Sequence, residues 1–404
     1  MQHTVPNSTK IIWITQSPTE QNFVETQDNL EIRYISRIKA KKELNIVDFS
    51  YIIEKEVMKL VNKIKYRLPK YIVAIEAPEW EGLLSNYYRA ESDKNILKIT
   101  RIHTPLAVTA ELNDLKLDEI KTLQMQKEHK QMLNSNILSA PTNYIYNLTQ
   151  EKVLKNQGLG IPHIIVPNPI DVNHFSKINN TRAEAVDLFK KYTKCPINPD
   201  DFNIFIVGSV EKRKGVEIFI ETIPLIINQI PNAHFYFIGH CKENSSSLTA
   251  NNKFSAEGLL SRFDDKTKHH VHIAGYINHD LMPKIMQAGD LFLICYLGDN
   301  FPGVLIEVGL SKRPVIALLK GGIPEMVRDS GKNTLCLTIN GNTINEIAKE
   351  CVSKILEFYK AKEALNLTEH FYQHLLKEFS GTKIISTLKA FYKSRIDSNL
   401  SLAK

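Results

Sequence analysis

The residues best suited to chemistry cluster at Asp299-Asn300-Phe301-Pro302-Gly303-Val304-Leu305-Ile306-Glu307, where two carboxylates bracket a Pro-Gly turn. An apolar run at 291–295 precedes this stretch and reads as a strand; residues 303–310 read as the helix that follows. A helix opening at such a turn presents backbone N–H groups and the positive end of its dipole, which suits a diphosphate. Phe301, Pro302, Gly303 and Val304 make up this turn and the start of the helix. Glu307 lies about one turn into the helix, where a carboxylate can accept hydrogen bonds from the vicinal hydroxyls of a ribose. Downstream, Gly321-Gly322-Ile323-Pro324-Glu325 follows the next strand, and paired glycines let backbone approach a ligand closely.

A second stretch, Val207-Gly208-Ser209-Val210-Glu211-Lys212-Arg213-Lys214-Gly215-Val216, also runs from a strand through a glycine turn into a helix. Arg213 and Lys214 there could hold phosphate charge, and a lysine beside a diphosphate stabilises a leaving group without a metal. The plainer reading is a solvated basic loop. A third candidate is His103, at the end of the strand-like Thr100-Arg101-Ile102-His103-Thr104-Pro105. The paired His269-His270 has no cysteine or acid cluster beside it, so no metal is expected there.

These residues need elements to position them. Short apolar runs alternate with amphipathic stretches: strands are expected at 11–15, 30–35, 71–75, 96–102, 137–140 and 163–166, with helices at 49–67, 117–132 and 143–156. The alternation restarts at 202–207 and continues through strands at 234–238, 271–274, 291–295 and 314–318 to a mostly helical end. Buried strands alternating with helices imply parallel sheets covered on both faces. The break near 167–180 divides the chain into two doubly wound α/β domains, whose ligands would bind at the carboxyl ends of the strands. The expected boundaries are 1–172, 173–375 and a helical segment, 376–404, that could cross back to the first domain.

Composition agrees. A chain of 404 residues with 43% hydrophobic and 24% charged content has enough apolar sequence for large cores, which excludes a disordered or disulfide-framed protein. The net charge of +7 is too mild and diffuse for a dedicated nucleic-acid binder, and suits anionic small molecules. Five scattered cysteines, with no Cys-x-x-Cys pair, fit a reducing cytosol. The polar N-terminus, 1–10, carries no apolar signal core.

The motifs together resemble the family 4 retaining glycosyltransferases, of GT-B fold. The resemblance rests on Asp299…Glu307, Arg313-Pro314-Val315-Ile316-Ala317 and Gly321-Gly322-Ile323-Pro324-Glu325, and it extends over roughly residues 71–327. It implies two Rossmann-like domains facing across a cleft. It places the nucleotide ribose at Glu307, the donor sugar at Asp299 and the donor phosphates at Gly208, Ser209, Arg213 and Lys214. Tyr276, after Gly275, stands where the family contacts the base. His103 is placed beside the sugar or acceptor, which makes His103, Asp299 and Lys214 the implied catalytic residues. The implied substrate is a nucleotide-diphosphate sugar, most commonly a UDP-sugar, with a glycan, lipid-linked or protein acceptor and no metal or other cofactor.

This sequence departs from the family pattern in places. Asp299 replaces the usual Glu and is one methylene shorter; Ser209 replaces the usual Arg. The strand at 11–15 runs into Gln16-Ser17-Pro18-Thr19-Glu20 rather than a Gly-Gly loop and long helix. These departures leave open a non-catalytic nucleotide-sugar-binding partner, and an epimerase on the same fold is a further alternative. Arg33, Arg37, Lys39, Lys41 and Lys42, before an amphipathic helix flanked by Lys63, Lys65, Arg67 and Lys70, raise a peripheral contact with a cytoplasmic membrane face. Glu54 and Glu56 interrupt that positive field and favour a solvated helix face.

Overall fold

The computed structural model describes residues 10–39, 42–69, 72–241, 255–329, 334–361 and 365–402. Lys41, Lys70, Tyr71 and the polar stretch 244–253 lie outside the described residues. The chain forms two units. Residues 1–110, 117–167 and 381–404 make the first; residues 111–116 and 168–380 make the second.

The first unit opens with β1 (Ile11–Gln16), β2 (Phe23–Gln27) and β3 (Leu30–Ile35), which form their own three-stranded sheet in the order β1-β3-β2. This corrects the expectation that residues 11–15 and 30–35 open the doubly wound sheet. The short segment between them holds β2. Gln27 pairs with Leu30 across a two-residue turn in which Asp28 has φ 50°, so Asp28-Asn29 closes a tight hairpin. In place of a Gly-Gly loop, the Ser17 hydroxyl donates to the Gln21 carbonyl at 2.7 Å and accepts from the Thr19 amide at 3.1 Å. A side-chain turn of this kind needs no glycine.

Helix α1 (Ile46–Arg67) follows, started by the Asn45 side chain, which accepts from the Val47 and Asp48 amides. It buries Phe49, Ile53, Val57, Leu60 and Val61 along one face, the spacing of an amphipathic helix. Strands β4 (Val73–Pro78), β5 (Ile96–Arg101), β6 (Ile137–Ala140) and β7 (His163–Ile165) then form an all-parallel sheet in that order. Helix α2 (Glu119–Leu133) lies between β5 and β6 in the chain.

The second unit includes α3 (Arg182–Thr193), a helix the apolar pattern did not mark although Thr181 and Glu184 form a capping box at its start. Its sheet holds β8 (Phe202–Val207), β9 (Ala233–Ile238), β10 (Val271–Gly275), β11 (Leu291–Ile294), β12 (Val315–Leu318) and β13 (Leu337–Ile339). All are parallel, in the order β10-β9-β8-β11-β12-β13. Helices α4 (Val216–Ile227) and α5 (Gly303–Leu310) follow β8 and β11. Phe202, Ile204 and Ile206 pack into one core and Phe205 into the other, so β8 is buried on both faces. In this strand order the direction of winding reverses between β8 and β11, and the crevice beyond their carboxyl ends is where such folds bind ligands. Helices α6 (Ile344–Ala361) and α7 (Leu365–Glu378) complete the unit, and α8 (Gly381–Leu402) returns to the first. Among the described residues no helix is long and apolar enough to cross a membrane.

Candidate functional site

The loops after β8 and β11 meet at this switch point. Asp299, 6% exposed, accepts hydrogen bonds from Lys214 Nζ and, at 3.0 Å, from Arg213 Nη1. Lys214 Nζ also lies 3.9 Å from the centre of the Tyr296 ring, a cation–π contact on a buried floor. Two glycines make this junction possible. Gly215, at φ 79°, packs so closely that a Cβ would stand 2.0 Å from the Cys295 carbonyl oxygen. Gly321, at φ 63°, passes the Asp299 backbone with 2.3 Å for the equivalent clearance, while the Gly322 amide donates to the Asp299 carbonyl at 2.8 Å. Both positions need the left-handed backbone and the missing side chain that glycine supplies.

Burial shapes the charges here. Burial pushes the Lys214 ammonium below its ordinary pKa, with Asp299 pulling the other way. Burial alone would raise the Asp299 carboxyl, but Lys214 and Arg213 outweigh it and hold the group below its ordinary value. Both directions describe one ion pair, and the geometry shows it formed. A second carboxylate, Glu211, accepts from the Ser209 hydroxyl and from Asn113 Nδ2 at 3.0 Å, and lies 3.7 Å from Arg213 Nε. Asn113 also accepts from the Arg213 amide at 3.1 Å.

Beyond Asp299, the Phe301 amide donates to Asn300 Oδ1 at 2.6 Å, and α5 starts at Gly303 with Pro302 as its cap. Gly303 and Val304, in the first turn, are part-exposed. Glu307, one turn along, sits 3.3 Å from His279 Nε2; burial raises its pKa, and His279 and His174 oppose the rise. Gly208 turns the chain after β8, with the Gly208 amide donating to the Ile238 carbonyl at 2.8 Å. Tyr276 is 62% exposed and stacks on His240, with ring centres 4.6 Å apart, so its face is available to a planar ligand.

The second unit thus brings together Gly208, Ser209, Arg213, Lys214, Asp299 and the start of α5, with Glu307 one turn along. Asn113, Glu211, Tyr296, His174 and His279 escaped sequence reasoning. Glu211 lies inside the basic stretch, but Asn113 reaches it from 98 residues away and no local pattern announces that contact. His103 belongs to the first unit. Its Nδ1 lies 3.3 Å from Glu79 Oε2, while Glu79 Oε1 accepts from the Thr104 amide at 2.7 Å. Glu79 is fully buried and His103 half-exposed, so the carboxylate orients a ring whose Nε2 edge is turned from it.

Among the described residues, one group, His174, His279 and Asp280, has potential metal-ligand atoms within 4.8 Å of one another. The two rings are stacked 18° from parallel with centres 5.4 Å apart. In the first unit, Arg33 pairs with Glu31 and Glu56, and Arg37 with Glu81 and Glu43. These are two of the nine basic residues suggested for a membrane contact.

The two α/β units have the GT-B fold. The chain is similar to sucrose-phosphate synthase from Thermosynechococcus elongatus, at 15% identity and TM-score 0.67 over 96% of this chain and 89% of that one. It is similar to HepE from Anabaena in a complex with UDP, at 15% identity and TM-score 0.60 over 84% and 82%. Residues 201–357, which contain the whole site of the second unit apart from Asn113 and His174, match the family described as Glycosyl transferases group 1. An uncharacterized glycosyltransferase of Methanocaldococcus jannaschii is 24% identical over 61% of this chain and 72% of its own length. The gpi3 subunit of phosphatidylinositol N-acetylglucosaminyltransferase from Schizosaccharomyces pombe is 22% identical over 48% of this chain, a match spanning 42% of that relative.

Proposed function

We propose that the protein is a retaining, metal-independent glycosyltransferase of family 4 type that moves a sugar from a nucleotide-diphosphate sugar to a hydroxyl acceptor in glycan or glycoconjugate synthesis. The observation that carries this reading is the convergence of Lys214, Arg213 and the first turn of α5 at the carboxyl ends of β8 and β11, with Glu307 one turn away. Cations and helix N–H groups suit the diphosphate, and the half-withdrawn Glu307 carboxylate suits ribose hydroxyls. Tyr276 offers a stacking face for the base. A uridine donor is the version we favour, since the similar HepE structures hold UDP and UDP-glucose.

In this reaction the bond from the sugar's anomeric carbon to the diphosphate oxygen breaks. The acceptor oxygen bonds to that carbon on the same face, and its proton passes to the departing diphosphate. Lys214 and Arg213 stabilise the charge that develops on the leaving group, and backbone N–H groups position it. His103, held by Glu79, is the first unit's candidate contact to sugar or acceptor.

Calorimetric titration with UDP, GDP and ADP tests the donor half. Glu307→Ala is expected to weaken the preferred nucleotide about tenfold, the loss of one or two hydrogen bonds to a carboxylate. Equal binding by both proteins, or none by the native protein, would overturn the reading. A second reading, a non-catalytic nucleotide-sugar-binding partner, is favoured by the Asp299 carboxylate being bound to the two phosphate-site cations rather than aimed at a sugar. Donor binding without hydrolysis or transfer across an acceptor panel would select it.

A further inference from the structure

We propose that Asp299 acts as a resident counter-anion that competes with the donor diphosphate for Lys214 and Arg213, and so acts as a brake on donor affinity. This rests on the assignment of those two cations to a diphosphate. Its basis is the set of contacts each group makes. Lys214 Nζ and Arg213 Nη1 both donate to the same atom, Asp299 Oδ2. Arg213 Nε is buried without a hydrogen-bond acceptor, and a Glu211 carboxylate oxygen lies 3.7 Å from it. The two cations therefore face two carboxylates, and their charge is matched within the protein itself.

A diphosphate brought to Lys214 and Arg213 must take the position that Asp299 Oδ2 holds or stand beside it. Standing beside it places like charges together in a buried site, where screening is weak. Asp299 cannot swing far. Its backbone is pinned by the Gly322 amide and the close pass of Gly321, and Oδ1 lies 3.3 Å from the Phe301 amide. Its side chain, with a single methylene, ends at the cations. Donor binding thus requires an ion pair to open, and part of the binding free energy goes to opening it.

The consequence has an unusual sign. Removing an acidic side chain from a substrate site normally weakens or spares binding. Here Asp299→Asn leaves the two buried cations with a single nearby carboxylate, Glu211, which destabilises the protein and strengthens its hold on an entering anion. The test pairs calorimetry with thermal unfolding, using UDP and inorganic pyrophosphate as probes at low salt. The Asn variant is expected to melt lower than the native protein, to gain more melting temperature from pyrophosphate, and to bind both probes at least about tenfold more tightly. Asp299→Ser, a smaller neutral replacement, serves as the second variant should Asn pack poorly. UDP binding to the native protein with equal or weaker binding to both variants would overturn the brake and leave the donor assignment standing. Tighter pyrophosphate binding by the variants, with no nucleotide bound by any form, would keep the brake and overturn the nucleotide assignment. Binding of neither probe by any form would overturn both.

Discussion

At the scale of single residues, the site depends on close backbone approach as much as on charge. Gly215 fixes where Lys214 points, because its left-handed backbone turns the chain against the Cys295 carbonyl. Gly215→Ala meets two costs: an unfavourable backbone region, about 1–2 kcal/mol, and a collision with main chain that cannot move aside. Together we expect about 2–5 kcal/mol of lost stability, measured by urea unfolding, with nucleotide binding lost in whatever folded protein remains. A loss well under 1 kcal/mol would show that the loop relaxes and that the close contact is not a constraint.

At the scale of elements, α2 carries a buried acid with a measurable effect on stability. Glu128 points from the helix into the first unit, accepting from the Leu106 amide at 2.8 Å, the Glu81 amide at 3.2 Å and Gln124 Nε2 at 2.8 Å. Burial pushes its pKa up to about 7, the hydrogen bonds from Gln124 and the backbone oppose the rise, and Glu79 adds to it. The folded protein therefore holds this proton at a pH where the unfolded chain has released it. Stability falls as pH rises from about 4.5 to about 7 and is level above that, by about 3 kcal/mol in all. Glu128→Gln, with no proton to lose, is expected to flatten that part of the profile. Urea unfolding at half-unit pH steps would show it, and an unchanged slope would exclude Glu128 as its source.

At the scale of the whole molecule, the last helix completes the first unit. Phe391 and Tyr392 of α8 pack against Leu97, Ile99 and Ile137 of β5 and β6, and the Tyr392 hydroxyl donates to Glu76 Oε2 at 2.5 Å. The chain thus leaves the first unit, forms the second and returns. Tyr392→Phe removes a bond to a charged group and should cost about 1.5–3 kcal/mol. Hydrogen exchange is expected to quicken in β5 and β6 and stay unchanged in β8 and β11. Equal quickening in both sheets would mean that α8 does not stabilise the first unit selectively.

The sequence alone was enough for what depends on neighbours along the chain. Residues 202–207 and 303–310 read as a strand and a helix and are found so, because a strand buried on both faces is continuously apolar and a helix after a Pro-Gly turn has a clear start. The placing of a glycine turn, basic residues and Glu307 beyond strand ends was legible for the same reason. The hairpin at Asp28-Asn29 was also written locally, in a two-residue turn between Gln27 and Leu30. Tertiary structure decided the rest. Strand order places the loops after β8 and β11 side by side, although about 80 residues separate them. Packing binds Asp299 to Lys214 and Arg213, 85 and 86 residues earlier, a contact no local pattern announces. A carboxylate takes the nearest cation that burial leaves to it, and only the folded chain determines which cation that is.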